Sequence, residues 1–166
     1  MSDLGQRLAA VRLVAFDVDG VFTDGRFYLA DNGIESKAFH TQDGFGIRRL
    51  LNADIAVAVI SGRRSGAVER RMSELGVSHV VQGCKDKVAA LDNIIGKLGI
   101  KKAECAYVGD DIPDLPLLSH VGVSIAVANA VPALLARCDI TTSAPGGRGA
   151  VREVCELLLA SQGKAS

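Results

Sequence analysis

Short apolar runs alternate with amphipathic stretches along nearly the whole chain. The runs at 12–16, 55–60, 79–81, 106–108, 123–126 and 139–141 are rich in Val, Ile and Ala. They are close to continuous, the pattern of strands buried on both faces. Between them, 44–51, 65–75, 85–98, 114–119, 131–136 and 150–162 carry helical patterns. Strand–helix alternation of this kind predicts an α/β fold, a doubly wound, Rossmann-like parallel sheet with right-handed crossovers. Glycines at Leu75-Gly76 and Leu98-Gly99 mark expected helix ends.

One segment breaks the alternation. Between 25 and 39, Arg26-Phe27-Tyr28-Leu29 and Glu35-Ser36-Lys37-Ala38-Phe39 flank Asp31-Asn32-Gly33. Two extended runs about an Asn-Gly pair predict a β-hairpin inserted after the first strand. An isolated ribbon exposing Phe27, Tyr28, Leu29 and Phe39 is marginal and adhesive. The hairpin is therefore expected to pack against neighbouring subunits, the alternative being one folded down on its own chain.

At 166 residues, with 48% hydrophobic and 23% charged, the chain reads as one globular domain spanning 1–166. Nineteen basic residues balance nineteen acidic ones, so no global field draws it to nucleic acid or an anionic membrane. No apolar run approaches the roughly 20 residues of a membrane span, and the first residues lack a signal-peptide layout. Cys84, Cys105, Cys138 and Cys155 form no CxxC pair. Reduced, mostly buried thiols in a cytoplasmic protein are expected.

Four groups stand at or just beyond predicted strand ends, where a doubly wound sheet gathers its ligands. They are Asp17 and Asp19 in Phe16-Asp17-Val18-Asp19-Gly20, then Ser61 with Gly62 and Arg63, then Lys87, then Asp110-Asp111-Ile112-Pro113-Asp114. Taken singly, each has a plain role: a polar turn, a helix N-cap, a solvated lysine, a capping acid. Together they supply a nucleophilic carboxylate, acids for a divalent metal, and a hydroxyl and an ammonium for phosphate oxygens, the needs of a phosphoaspartate enzyme.

This ordered set resembles the haloacid dehalogenase superfamily of phosphatases: DxD, Ser/Thr, a later Lys and GDDxxD. Asp17 to Gly25, Phe39 to Ile47, Ile60-Ser61-Gly62-Arg63 and Gly146 to Glu153 resemble more narrowly its capless branch acting on 3-deoxy-D-manno-octulosonate 8-phosphate in lipopolysaccharide synthesis. The gap between Gly62 and Lys87 leaves no room for a cap. Gln42 departs from that branch, whose members often carry a basic residue there.

The resemblance implies Asp17 as nucleophile, Asp19 as acid/base, and Ser61 and Lys87 on the phosphoryl group. It implies Mg2+ held by Asp17, Asp110 and the Asp19 main-chain carbonyl, with Asp111 and Asp114 ordering waters and Lys87 behind them. Asp17 is expected ionised and Asp19 protonated at the start, the latter through a like-charged neighbour. The sugar acid is expected to meet Asp19, Lys87, His40, Thr41, Gln42, Asp43, Gly44, Arg48, Arg63 and Arg71. A partner chain's hairpin, or the 145–149 loop approaching backbone-first, is expected to close the site in a homotetramer. His79 and His120 are read as structural. Two rival readings are a phosphatase for a nonulosonate 9-phosphate and a catalytically silent oligomerisation domain.

Overall fold

The computed structural model describes residues 3–165 and turns the apolar runs into strands. In chain order these are β1 (Leu13–Phe16), β2 (Tyr28–Leu29), β3 (Glu35–Ser36), β4 (Ala56–Ile60), β5 (His79–Val81), β6 (Cys105–Gly109), β7 (Val123–Ala126) and β8 (Ile140–Thr141). The helices are α1 (Asp3–Ala9), α2 (Thr41–Asn52), α3 (Gly66–Leu75), α4 (Lys87–Leu98), α5 (Leu115–Leu118), α6 (Pro132–Leu135) and α7 (Ala150–Ser161). Six strands form one sheet in the order β5-β4-β1-β6-β7-β8, with every pairing parallel.

All four residues of β1 are fully buried, as a continuous apolar run requires of a central strand. The chain leaves β1 toward β4 and β5, then crosses back to β6 on the other side. The strand order thus reverses beside β1, and a crevice opens above the β1 and β6 tips. Among the described residues, no helix is long and apolar enough to cross a membrane.

Caps move the helix starts away from the apolar pattern. α2 begins at Thr41 rather than 44, because His40 Nδ1 accepts the Gln42 N–H at 3.1 Å. α4 begins at Lys87 rather than 85, because Asp86 accepts the Ala89 N–H at 3.0 Å. α1 was not expected: it buries only Leu8 and so has no apolar stripe to read. Its Arg7 ties it down through Asp139 and the Gly122 carbonyl, and also bonds Asp3 one turn back in the same helix.

The hairpin is present but smaller than expected, with β2 and β3 only two residues each. Asn32 Oδ1 accepts the Ile34 N–H and Gly33 takes φ +82° in its turn. Tyr28, Leu29 and Ile34 are 71%, 67% and 62% exposed, whereas Phe39 packs on the core. The tip is therefore bare, while the root folds down on its own chain.

The 145–149 loop presents its backbone to the turn after β1 and clamps it. Gly147 N donates to Val21 O, and Gly146 N to Asn129 Oδ1. A Cβ at Gly146 would lie 1.7 Å from Gly20 O, and one at Gly147 would lie 2.4 Å from Asp24 N. Backbone, not a movable side chain, occupies that space. Gly146→Ala is expected to lower stability by about 1–3 kcal/mol, measured by denaturant unfolding, and to reduce turnover by shifting the turn that carries Asp19.

Candidate active site

Asp17 is the first residue past β1, and its N–H still bonds Val108 O at 3.0 Å, continuing the sheet ladder. Across the crevice β6 ends at Gly109, and the chain folds into a 3₁₀ turn, Ile112–Asp114. Asp114 is wholly buried and organises this turn. Its Oδ1 accepts Lys87 Nζ at 2.8 Å and Tyr107 OH at 2.5 Å; its Oδ2 accepts the N–H groups of Asp110 at 3.0 Å and Asp111 at 3.3 Å. Lys87, opening α4, also reaches Asp17 Oδ1 at 3.3 Å.

Carboxylate oxygens of Asp17, Asp110 and Asp114 lie within 4.8 Å of one another. Burial, then the Asp114 charge, push Asp17 up to about 6 against the pull of Lys87. Burial, then Asp17 and Asp114, push Asp110 up to about 8. Burial pulls Lys87 down, and the two carboxylates more than reverse it, keeping the ammonium above its ordinary value. At about 6 Asp17 is still mostly ionised near neutral pH, and a further positive charge would strengthen this. Oxygen donors so crowded suit a hard divalent cation. Both Asp114 oxygens are already taken, which leaves Asp17 and Asp110 as the acidic side chains that could hold one. Asp110 also lies so close to Gly20 that a Cβ there would sit 1.9 Å from its Oδ2.

These residues floor a cleft of about 300 Å³ lined by Asp17, Asp19, Ser61, Arg63, Lys87, Asp110 and Asp111, with Gly25, Gly62 and Pro113. Ser61 is buried and donates its N–H to Val81 O, so the end of β4 aims it at the same space as Asp17. Asp111 takes the plain role weighed for it, since its Oδ1 accepts the Ile112 N–H at 2.7 Å. Asp114 holds Lys87 as expected.

The structure does not bring His40, Thr41, Gln42, Asp43, Gly44, Arg48 or Arg71 to this cleft within one chain. Asp43 is buried and its Oδ1 accepts the Arg152 N–H at 3.0 Å, capping α7 from another helix. Burial pushes its carboxyl up, against the pull of that N–H. Arg48 Nη1 donates to Leu75 O at the end of α3, and Arg71 pairs with Glu74 at 3.5 Å beside Gly44.

Sequence reasoning missed Tyr107, Glu35 and Lys37. Lys37 pairs with Asp19 Oδ1, so the neighbour of Asp19 is an ammonium and not the like charge expected. Glu35 Oε2 accepts Arg63 Nη2 at 2.7 Å. The signal was legible in principle: residues 35 and 37 share one face of a strand. Tyr107 would have been found as a polar group in an otherwise apolar central strand.

The haloacid dehalogenase-like hydrolases match over residues 79–151. The 3-deoxy-D-manno-octulosonate 8-phosphate phosphatase of Escherichia coli K12 is 48% identical over 163 residues, covering 98% of this chain and 87% of that protein. The chain belongs to the haloacid dehalogenase superfamily. Among solved structures of the superfamily, that of the Yersinia pestis enzyme of the same name superposes with TM-score 0.97 at 46% identity, covering 99% of this chain and 89% of the other. The Moraxella catarrhalis enzyme, solved with magnesium, phosphate and the sugar acid, superposes with TM-score 0.96 at 44% identity, covering 99% and 95%.

Asp17 and Asp110 both bind their protons more tightly folded than unfolded. The stability they contribute is full below the ordinary value of 3.8 and is lost as pH rises through about 6 and then about 8. Protein stripped of metal by chelator is expected to lose thermal midpoint from pH 5 to pH 8. Added Mg2+ is expected to raise the midpoint more at pH 8 than at pH 5, as read by differential scanning calorimetry.

Proposed function

We propose that the chain is a Mg2+-dependent phosphomonoesterase that hydrolyses 3-deoxy-D-manno-octulosonate 8-phosphate to the free sugar acid and phosphate. The observation that carries this reading is the meeting of Asp17, Asp110, Ser61 and Lys87 in one cleft of a chain so similar to phosphatases of that name. The donor set at the β1 and β6 tips fits magnesium, which would be held by the Asp17 and Asp110 carboxylates and the main-chain carbonyl of Asp19. When bound, the metal supplies positive charge that keeps Asp17 ionised and offsets charge on the phosphoryl oxygens.

In this reading Asp17 attacks phosphorus as the ester P–O bond breaks, and Asp19, protonated on the oxygen that Lys37 leaves free, gives that proton to the departing sugar oxygen. The Ser61 hydroxyl and the Lys87 ammonium hold phosphoryl oxygens throughout. Water then attacks the phosphoaspartyl group, its proton passes to Asp19, and the bond to Asp17 breaks to release phosphate. Asp114 and Tyr107 fix Lys87 so that its charge sits beside Asp17. Arg63, at the cleft edge, is suited to the sugar carboxylate, because a guanidinium donates in a planar fork.

A homotetramer is part of the same reading. It is supported by the bare tip at Tyr28, Leu29 and Ile34, too apolar to leave in water without cost. The residues at the α2 N-terminus would then meet substrate only where a neighbouring copy brings them to the cleft. The free thiols Cys84, Cys105, Cys138 and Cys155 suit a reducing cytoplasm.

A panel of phosphorylated sugar acids with and without Mg2+ tests the activity. Highest kcat/KM for the eight-carbon ester with magnesium is expected, Asp17→Asn folded but inactive, and Asp19→Asn slowed by about 10²- to 10⁴-fold. Preference for a nine-carbon ester, or near-normal turnover by Asp17→Asn, would sink it. Light scattering is expected to give four copies of the 17.4 kDa chain, and Leu29→Asp a smaller species of lower activity.

A further inference from the structure

The root of the hairpin carries an ion network that neither folding nor phosphate binding explains. Glu35 and Lys37 stand on the same side of the strand that ends the hairpin, and both turn toward the cleft. The Lys37 side chain is only 1% exposed. Its ammonium pairs with Asp19 Oδ1 and lies 3.6 Å from Glu35 Oε1, an otherwise unbonded buried oxygen. The other Glu35 oxygen holds Arg63, whose guanidinium lies 4.2 Å above the Phe27 ring. One chain of contacts therefore runs from Asp19 through Lys37 and Glu35 to Arg63 at the opposite lip.

A buried ammonium is costly, and an apolar side chain of similar volume would hold a hairpin down at least as well. Its placement makes sense through what it touches. An aspartate beside a cleft swings about two side-chain torsions, and an acid/base group must meet its partner oxygen at hydrogen-bond distance. We propose that Lys37 is a positioning residue for Asp19, pinning Oδ1 so that Oδ2 faces the ester oxygen. The inference rests on the reading of Asp19 as the acid/base. It adds that the hairpin carries a part of the catalytic geometry in its own chain, besides any surface it offers to a neighbour. The polar partners of Lys37 are Asp19 and Glu35, and not Asp17.

The test compares two esters on Lys37→Met, Lys37→Arg and Asp19→Asn, with folding checked by circular dichroism. The sugar-acid phosphate has an alkoxide leaving group that needs a proton; p-nitrophenyl phosphate has one that departs without it. Lys37→Met is expected to lose at least about tenfold more kcat/KM on the sugar ester than on the aryl ester, with the loss in kcat and KM little changed. Lys37→Arg, which keeps the charge, is expected to show a smaller loss of the same selective kind. If the methionine variant does not fold, the arginine variant carries the comparison. Equal losses on both esters, or none, would overturn the proposal. Asp19→Asn separates the two levels: ester-selective loss there without it in the Lys37 variants removes only the role of Lys37, whereas no selectivity in Asp19→Asn removes the acid/base reading itself.

Discussion

Three carboxyl groups crowded within 4.8 Å at the end of a buried sheet repel one another, and much of the surrounding structure answers that repulsion. Two like charges about 4 Å apart in a partly buried setting cost about 4 kcal/mol. Lys87 offsets part of this from one side, while Tyr107 and two main-chain N–H groups neutralise Asp114 from behind. Asp17 and Asp110 remain short of positive charge, and this adds to burial, the larger cause, in raising both carboxyls. The same shortage makes the place attractive to a divalent cation and then to a phosphoryl group. Binding and catalysis here draw on strain that folding has already met.

The fold supplies this arrangement by topology more than by any one residue. β1 is the central strand, flanked by the strand that ends in Ser61 and the strand that leads to Asp110. Asp17, Ser61 and Asp110 are thus neighbours by hydrogen-bonded register, although they are far apart in the chain. Among the described residues no cap domain stands above them. The hairpin root and the glycine-rich loop crowd the turn after β1, one with charges and the other with bare backbone, and Asp110 closes on it from β6.

Much of this was legible in the residues. Continuous Val, Ile and Ala runs located the sheet strands to within a residue or two, because strands buried on both faces need apolar side chains at every position. The polar groups at their ends followed, because strand tips in such a sheet converge. What the pattern hid has physical causes. α1 buries one side chain and so leaves no periodicity. The starts of α2 and α4 depend on capping by His40 and Asp86, a choice made by single hydrogen bonds. Lys37 is an ordinary charged residue until the hairpin folds back and places it on Asp19. Asp43 was expected near substrate through the family resemblance of its loop; within the chain its carboxylate caps the start of a helix more than a hundred residues away, a pairing no local pattern reveals.

Asp17 and Asp110 are carried by adjoining strands of one parallel ladder, and the amide of Asp17 is itself a rung of that ladder. They cannot part without tearing the middle of the sheet. Fraying at the chain ends or at the hairpin tip would leave their spacing untouched, so this pair of acids keeps its separation as long as the central strands stay together.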